Sequence, residues 1–124
     1  VRLLLVEDDA ILLMDLAEIL KGAGANIVGR CRTIEDALAI VKNDSVAAAV
    51  LDVRMGRQTI APVARELCRH GTPFFFYTGQ VVSDPALEEW RDCAIVAKPA
   101  QPQTIVSAVV DLLQGTVAGD DVET

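Results

Sequence analysis

Four apolar runs in this 124-residue sequence each stop at a group able to do chemistry. Val46–Leu51 ends at Asp52, Leu3–Val6 at Glu7-Asp8-Asp9, Phe74–Tyr77 at Thr78, and Ala94–Ala97 at Lys98. If Glu7, Asp8 and Asp52 converge they cannot all ionise cheaply, and either a proton is retained or a divalent cation neutralises them. Oxygen ligands with no histidine or cysteine nearby favour Mg²⁺ or Mn²⁺ over zinc. Such an ion would hold a phosphoryl donor and shield Asp52 as nucleophile, because a carboxylate can accept phosphate as an aspartyl phosphate. The Lys98 ammonium suits pairing with Asp52 at rest and with a phosphoryl oxygen afterwards, and the Thr78 hydroxyl suits a second oxygen. Taken singly, each has a plainer role: Asp9 reads as a helix cap, Lys98 and Thr78 as solvated strand ends. Their joint placement at four run ends singles them out.

The runs must be strands for this to work. Val46–Leu51 is uncharged throughout and reads as a strand buried on both faces, and the aromatic run after Pro73 needs the same burial. Between the runs the spacing predicts helices. Asp9 caps one in which Leu12, Leu16, Ile19 and Leu20 face inward and Asp15, Glu18 and Lys21 outward, ending at Gly22 and Gly24. Asn26–Cys31 is more polar, as an edge strand is. Thr33 to Asp36 resembles a capping box and opens a helix through Ala37, Leu38 and Val41 to about Asn43. A charged loop with one glycine separates Asp52 from Thr59, and Ile60 to His70 follows as a helix with Val63, Ala64 and Leu67 inward. His70 reads as a helix-end charge. Ser83-Asp84-Pro85 caps a short helix through Leu87 and Trp90 to about Arg91, and Gln101-Pro102 starts the last, to Gln114-Gly115.

Five βα units imply an α/β fold: a doubly wound, five-stranded parallel sheet in the flavodoxin-like order 2-1-3-4-5, with helices on both faces. Its switch point lies between the first and third strands, the two that end in Glu7-Asp8 and Asp52, so motif and topology point to one crevice. Residues 1–115 are expected to form one domain, with 116–124 a frayed acidic tail.

Composition excludes other classes. Hydrophobic residues make up 52% of the chain, too many for disorder. The net charge of −7 opposes direct binding to nucleic acid or to an anionic membrane. Cys31, Cys68 and Cys93 are scattered and odd in number, which fits small thiols in a reducing cytoplasm better than a disulfide framework or zinc site. No apolar run reaches the length of a membrane span.

Leu4–Asp9, Val50–Met55, Phe76–Gly79 and Ala97-Lys98-Pro99 together resemble, in order and spacing, the receiver domain of two-component response regulators. The resemblance spans nearly the whole chain. It implies that Asp52 accepts phosphate from a histidine kinase or phosphotransfer protein, with Glu7, Asp8 and the Arg54 backbone carbonyl joining Asp52 as Mg²⁺ ligands. It also implies that Thr78 and Lys98 bind the phosphoryl group, that a cis peptide joins Lys98 to Pro99, and that small Gly79 leaves the pocket accessible. Phe74–Gly79 looks like the stand-alone "FAT GUY" receivers of alphaproteobacteria, although Gln80-Val81 lacks the tyrosine that completes their motif.

The sequence departs from the family pattern at three points. Gly56 replaces a usual proline, Ile95 stands where a switch tyrosine or phenylalanine is usual, and Arg54 and Gln80 occupy the positions that tune phosphoryl lifetime. Output is expected through protein contacts that change when charge on Asp52 reorders the Thr78 to Ser83 loop. On the last helix Ile105, Val109, Leu112 and Leu113 form the inward stripe, and Val106 and Val110 form a second line that suits a downstream partner or a homodimer. Two rival readings share these residues. A degenerate receiver would act as a constitutive interaction module, against which the intact Asp52, Glu7, Asp8, Thr78 and Lys98 argue. A haloacid-dehalogenase-like hydrolase would carry a second acid where this chain has Arg54.

Overall fold

Phe74–Thr78 is buried along its whole length, which only a central strand with both faces covered permits. In the computed structural model, which describes residues 1–79, 85–90 and 92–115, it is the fourth strand of a five-stranded parallel sheet. The strands are β1 (Arg2–Val6), β2 (Asn26–Cys31), β3 (Ala48–Leu51), β4 (Phe74–Thr78) and β5 (Ile95–Ala97), in spatial order β2-β1-β3-β4-β5. The helices are α1 (Ala10–Gly22), α2 (Ile34–Asn43), α3 (Ala61–Arg69) and α4 (Pro102–Gln114). Strand alternation splits the core into two layers. Leu4, Val6, Ala49, Leu51, Phe74 and Phe76 pack with α2 and α3 on one face. Leu3, Leu5, Ala48, Val50, Phe75 and Tyr77 pack with α1 and α4 on the other. The chain thus leaves β1 toward one face and β3 toward the other, and a crevice opens between their carboxyl ends.

The caps follow the expected chemistry. Asp9 accepts from the amides of Ile11 (2.9 Å) and Leu12 (3.2 Å), and Thr33 Oγ1 from that of Asp36 (3.1 Å). Gly115 ends α4 at φ +71°. His70 caps α3 and its Nε2 lies 3.1 Å from Glu66 Oε2, so it is a helix-end group. The Cys31 thiol is buried, and burial followed by the nearby Asp36 charge pushes its pKa up to about 11; Cys68 is exposed and Cys93 half-buried.

Several expectations need correction. The inward face of α1 is Leu13, Leu16, Ala17 and Leu20, with Leu12 and Ile19 only half-buried. Two overlapping apolar stripes satisfy the helical period in this segment, and the sheet selects one. On α4, Ile105, Val109 and Leu112 are buried, but Leu113 is 39% exposed, because it lies at the edge of the stripe in the last turn. The loop after Asp52 is an antiparallel ribbon, pairing Arg54 with Thr59 and Met55 with Gln58. Its two-residue turn has Gly56 first, at φ +65°, which glycine adopts without strain. The fourth helix is a 3₁₀ segment over Pro85–Trp90. Six residues form few α-helical bonds, and tertiary contacts hold the segment instead. Trp90 packs edge-on to Phe74 at 5.9 Å, and Arg65 of α3 makes a two-pronged pair with Glu89 (2.7 and 3.1 Å). The Ser83-Asp84 cap, Gln80, Val81, Arg91 and the tail 116–124 lie outside the described residues.

Candidate functional site

Glu7, Asp52 and Lys98 each sit one step beyond a strand and Thr78 is the last residue of β4, and the sheet ladder continues into the backbone of the first three. The Glu7 amide donates to the Cys31 carbonyl (2.9 Å), the Asp52 amide to that of Val6 (3.0 Å), and the Lys98 amide to that of Thr78 (3.0 Å). The parallel pairings Val6↔Leu51, Leu51↔Phe76 and Thr78↔Ala97 therefore set the relative heights of Glu7, Asp52, Thr78 and Lys98. A slip of one residue in any strand would turn its functional group toward the opposite face.

Glu7, Asp8 and Asp52 offer carboxylate oxygens that lie within 4.8 Å of one another, a grouping suited to a hard divalent cation. Glu7 is 2% exposed, Asp52 7% and Thr78 1%, whereas Asp8 is half-buried. Lys98 Nζ bridges two of the acids, at 2.7 Å from Glu7 Oε1 and 2.9 Å from Asp52 Oδ2. Burial raises the Glu7 carboxyl above the ordinary carboxylate range. The hydrogen bonds from Lys98 and from the Asp9 amide oppose that rise, and the charge on Asp52 adds to it. Burial by itself would lower Lys98, but its hydrogen bonds to Glu7 and Asp52 outweigh this and hold the ammonium above its ordinary range. The cation stays charged among the acids.

All six expected side chains or backbones, of Glu7, Asp8, Asp52, Arg54, Thr78 and Lys98, gather at the carboxyl end of the sheet, with exposed Arg54 on the ribbon directly after Asp52. Lys98 and Pro99 are joined by a cis peptide, as the resemblance implies. Asp9 caps α1 with its side chain and donates its amide to Glu7 Oε2 (3.1 Å). Asp9→Ala is expected to cost about 1 kcal/mol of stability in urea unfolding. Its Mg²⁺ affinity by calorimetry should stay within about twofold of wild type, whereas a ligand would lose about tenfold or more.

Three neighbours have no local sequence signal. The Tyr77 ring lies 5.7 Å from Lys98 Nζ. Arg32, just past β2, donates Nε to the Asp8 carbonyl (3.2 Å). The Gly56 amide donates to Asp8 Oδ2 (2.9 Å). Only the alternation that sends Tyr77 opposite Phe76 was readable in advance.

Residues 3–110 match the family model for the response regulator receiver domain. The transcriptional regulatory protein PdtaR of Mycobacterium tuberculosis is 30% identical over 105 residues, covering 84% of this chain and 51% of that protein. The phyllosphere-induced regulator PhyR of Methylorubrum extorquens is 29% identical over 112 residues, covering 88% and 42%. The chain thus spans about half the length of the curated relatives it matches. The solution structure of SdrG from Sphingomonas melonis superposes with a TM-score of 0.78 at 32% identity, covering 90% of this chain and 95% of that one. The likeness to PhyR and SdrG agrees with the alphaproteobacterial character of Phe74–Gly79.

Proposed function

This chain belongs to the response regulator receiver domain family of two-component signalling, and from that premise we propose that Asp52 accepts a phosphoryl group in a Mg²⁺-dependent reaction. The observation that carries the reading is the buried cluster in which Lys98 bridges Glu7 and Asp52 beside Asp8. Glu7, Asp8, Asp52 and the Arg54 carbonyl would hold the ion. Arg54 fits because the bonds from Ile60 to Val53 and across the Met55–Gln58 pair leave it at a ladder position whose carbonyl turns away from Thr59. The ion would supply charge neutralisation and hold the donor's phosphoryl oxygens. Asp52 attacks phosphorus, its new O–P bond forming as the bond from phosphorus to the donor's imidazole nitrogen (or, in acetyl phosphate, to the acetyl oxygen) breaks and the electron pair leaves with the donor. Lys98 moves from its carboxylate partners to a phosphoryl oxygen, and the Thr78 hydroxyl donates to another. The chain is a signalling domain rather than a turnover enzyme.

The donor is a histidine kinase or phosphotransfer protein. Ile11 and Met14, 73% and 57% exposed, stand in the first turns of α1 directly after Asp8-Asp9 and offer an apolar foothold beside the crevice. Replacing both with Glu is expected to slow transfer from a phosphorylated donor protein about tenfold more than it slows labelling by acetyl phosphate. Equal slowing would count against docking there. Output runs through altered protein contacts. Val110 and Leu113, 40% and 39% exposed beside half-buried Val106, offer α4 as a surface for a downstream partner or a second copy.

The deciding experiment is intact-mass detection of a phosphoryl adduct after incubation with acetyl phosphate, with Mg²⁺ or with EDTA, alongside size-exclusion runs. A Mg²⁺-dependent adduct is expected. SdrG has a beryllofluoride-activated conformation, so the same mimic serves here if the adduct turns over quickly. Neither adduct nor mimic binding would favour a constitutive interaction module.

A further inference from the structure

We propose that the turn of the Arg54–Thr59 ribbon is a clasp for Asp8: the Gly56 main-chain amide positions this carboxylate for the cation, so that metal binding and ribbon order are coupled. The inference rests on the metal-binding reading above. Gly56 N donates to Asp8 Oδ2 at 2.9 Å, across 48 residues of sequence. An amide bound to a carboxylate is stronger than a neutral pair and fixes the rotamer. It engages Oδ2, while Asp8 still offers a carboxylate oxygen within 4.8 Å of those of Glu7 and Asp52. Because the donor is uncharged, it orients the acid without neutralising it, in contrast to the Lys98 ammonium, which carries a positive charge against Glu7 and Asp52.

The donor is held in place by the ribbon. Met55 is 4% exposed and anchors the turn in the core, and Ile60 N donates to Val53 O (2.9 Å) at its base. Asp8 is also held from behind, where Arg32 Nε donates to its carbonyl (3.2 Å). The ribbon therefore carries both the Gly56 donor and the Arg54 carbonyl, two residues apart on one short piece of backbone. A cation held by Asp8 and that carbonyl would add a second tie between Asp8 and the ribbon beside the Gly56 hydrogen bond. By linkage, whatever the ordered ribbon adds to cation affinity, the cation adds to ribbon order.

Gly56 offers clean variants. Its φ of +65° excludes proline, and an added Cβ would meet nothing within 4 Å. Gly56→Ala thus keeps the donor at the cost of a strained turn, while Gly56→Pro removes both donor and turn.

The experiment is Mg²⁺ titration by calorimetry, together with amide hydrogen exchange by NMR on the ribbon with and without Mg²⁺. Mg²⁺ is expected to slow exchange at Met55, Gly56 and Ile60 in wild type. Its dissociation constant should rise about threefold in Gly56→Ala and tenfold or more in Gly56→Pro. In metal-free protein, Asp8→Ala should speed exchange of the Gly56 amide about tenfold, a readout that does not depend on Gly56→Pro folding. Unchanged Mg²⁺ affinity in Gly56→Pro, or ribbon exchange indifferent both to Mg²⁺ and to Asp8→Ala, overturns the clasp while leaving the site reading intact. A wild-type protein that binds no Mg²⁺ overturns the site reading and the coupling together. Faster Gly56 exchange in Asp8→Ala would then show only that the Gly56–Asp8 hydrogen bond forms without a cation, and the clasp would still be overturned.

Discussion

Asp52→Asn is expected to lower phosphoryl incorporation from acetyl phosphate at least about a thousandfold, to below detection by intact mass. The change keeps size and shape at a position that is 7% exposed, so the fold around it should persist. What is lost is the anionic oxygen able to attack phosphorus, since a carboxamide is a poor nucleophile at neutral pH. One negative charge also leaves a group whose oxygens lie within 4.8 Å of one another, so Mg²⁺ should bind more weakly but still measurably through Glu7 and Asp8. Those two readouts separate loss of the acceptor from loss of the metal. An adduct of wild-type yield on Asp52→Asn would place the nucleophile elsewhere. Peptide mapping would then look first at Asp8, the half-buried member of the cluster.

The second large effect concerns stability. Lys98→Met is expected to destabilise the metal-free protein at neutral pH by about 3 kcal/mol in urea unfolding. Methionine preserves an unbranched apolar stem as far as Cε but leaves Glu7 and Asp52 facing each other without the ammonium that bridges them at 2.7 and 2.9 Å. Glu7 is already raised by burial, and without Lys98 the opposing contribution is lost. A carboxyl whose folded pKa lies above its unfolded value stabilises the fold when protonated, and that contribution is lost as pH rises through the folded value. Acidification from neutral pH should therefore recover part of the loss in Lys98→Met, and so should millimolar Mg²⁺. Phe75→Ala is the control, fully buried within the apolar layer that packs against α1 and α4. It is expected to lose about 3 to 5 kcal/mol whatever the metal content or acidity. A Lys98→Met deficit equally indifferent to both would mean that packing of the lysine stem, not charge, sets its cost.

The site and the sheet were legible in the sequence because both depend on short uninterrupted apolar runs, buried on both faces, that stop at polar groups. Runs such as Leu3–Val6 and Phe74–Tyr77 are too short for buried helices, their ends are abrupt, and a parallel sheet aligns those ends. The sequence alone thus assigns Glu7, Asp8, Asp52, Thr78 and Lys98 to one crevice. Three features needed the tertiary structure. The α1 face was ambiguous because Ile11 to Met14 are all apolar, and only contact with Leu3 and Leu5 selects Leu13 over Leu12. The fourth crossover reads as a helix by its cap and periodicity, yet six residues held by Trp90 and Glu89 settle as 3₁₀. The ribbon after Asp52 has two-residue strands with no period to detect, and its contact with Asp8 joins segments 48 residues apart through a backbone amide. Local pattern records which side chains must be buried and where charge must emerge. Which apolar face wins, and which main-chain donor meets which carboxylate, depends on segments distant in sequence and is decided only when they pack.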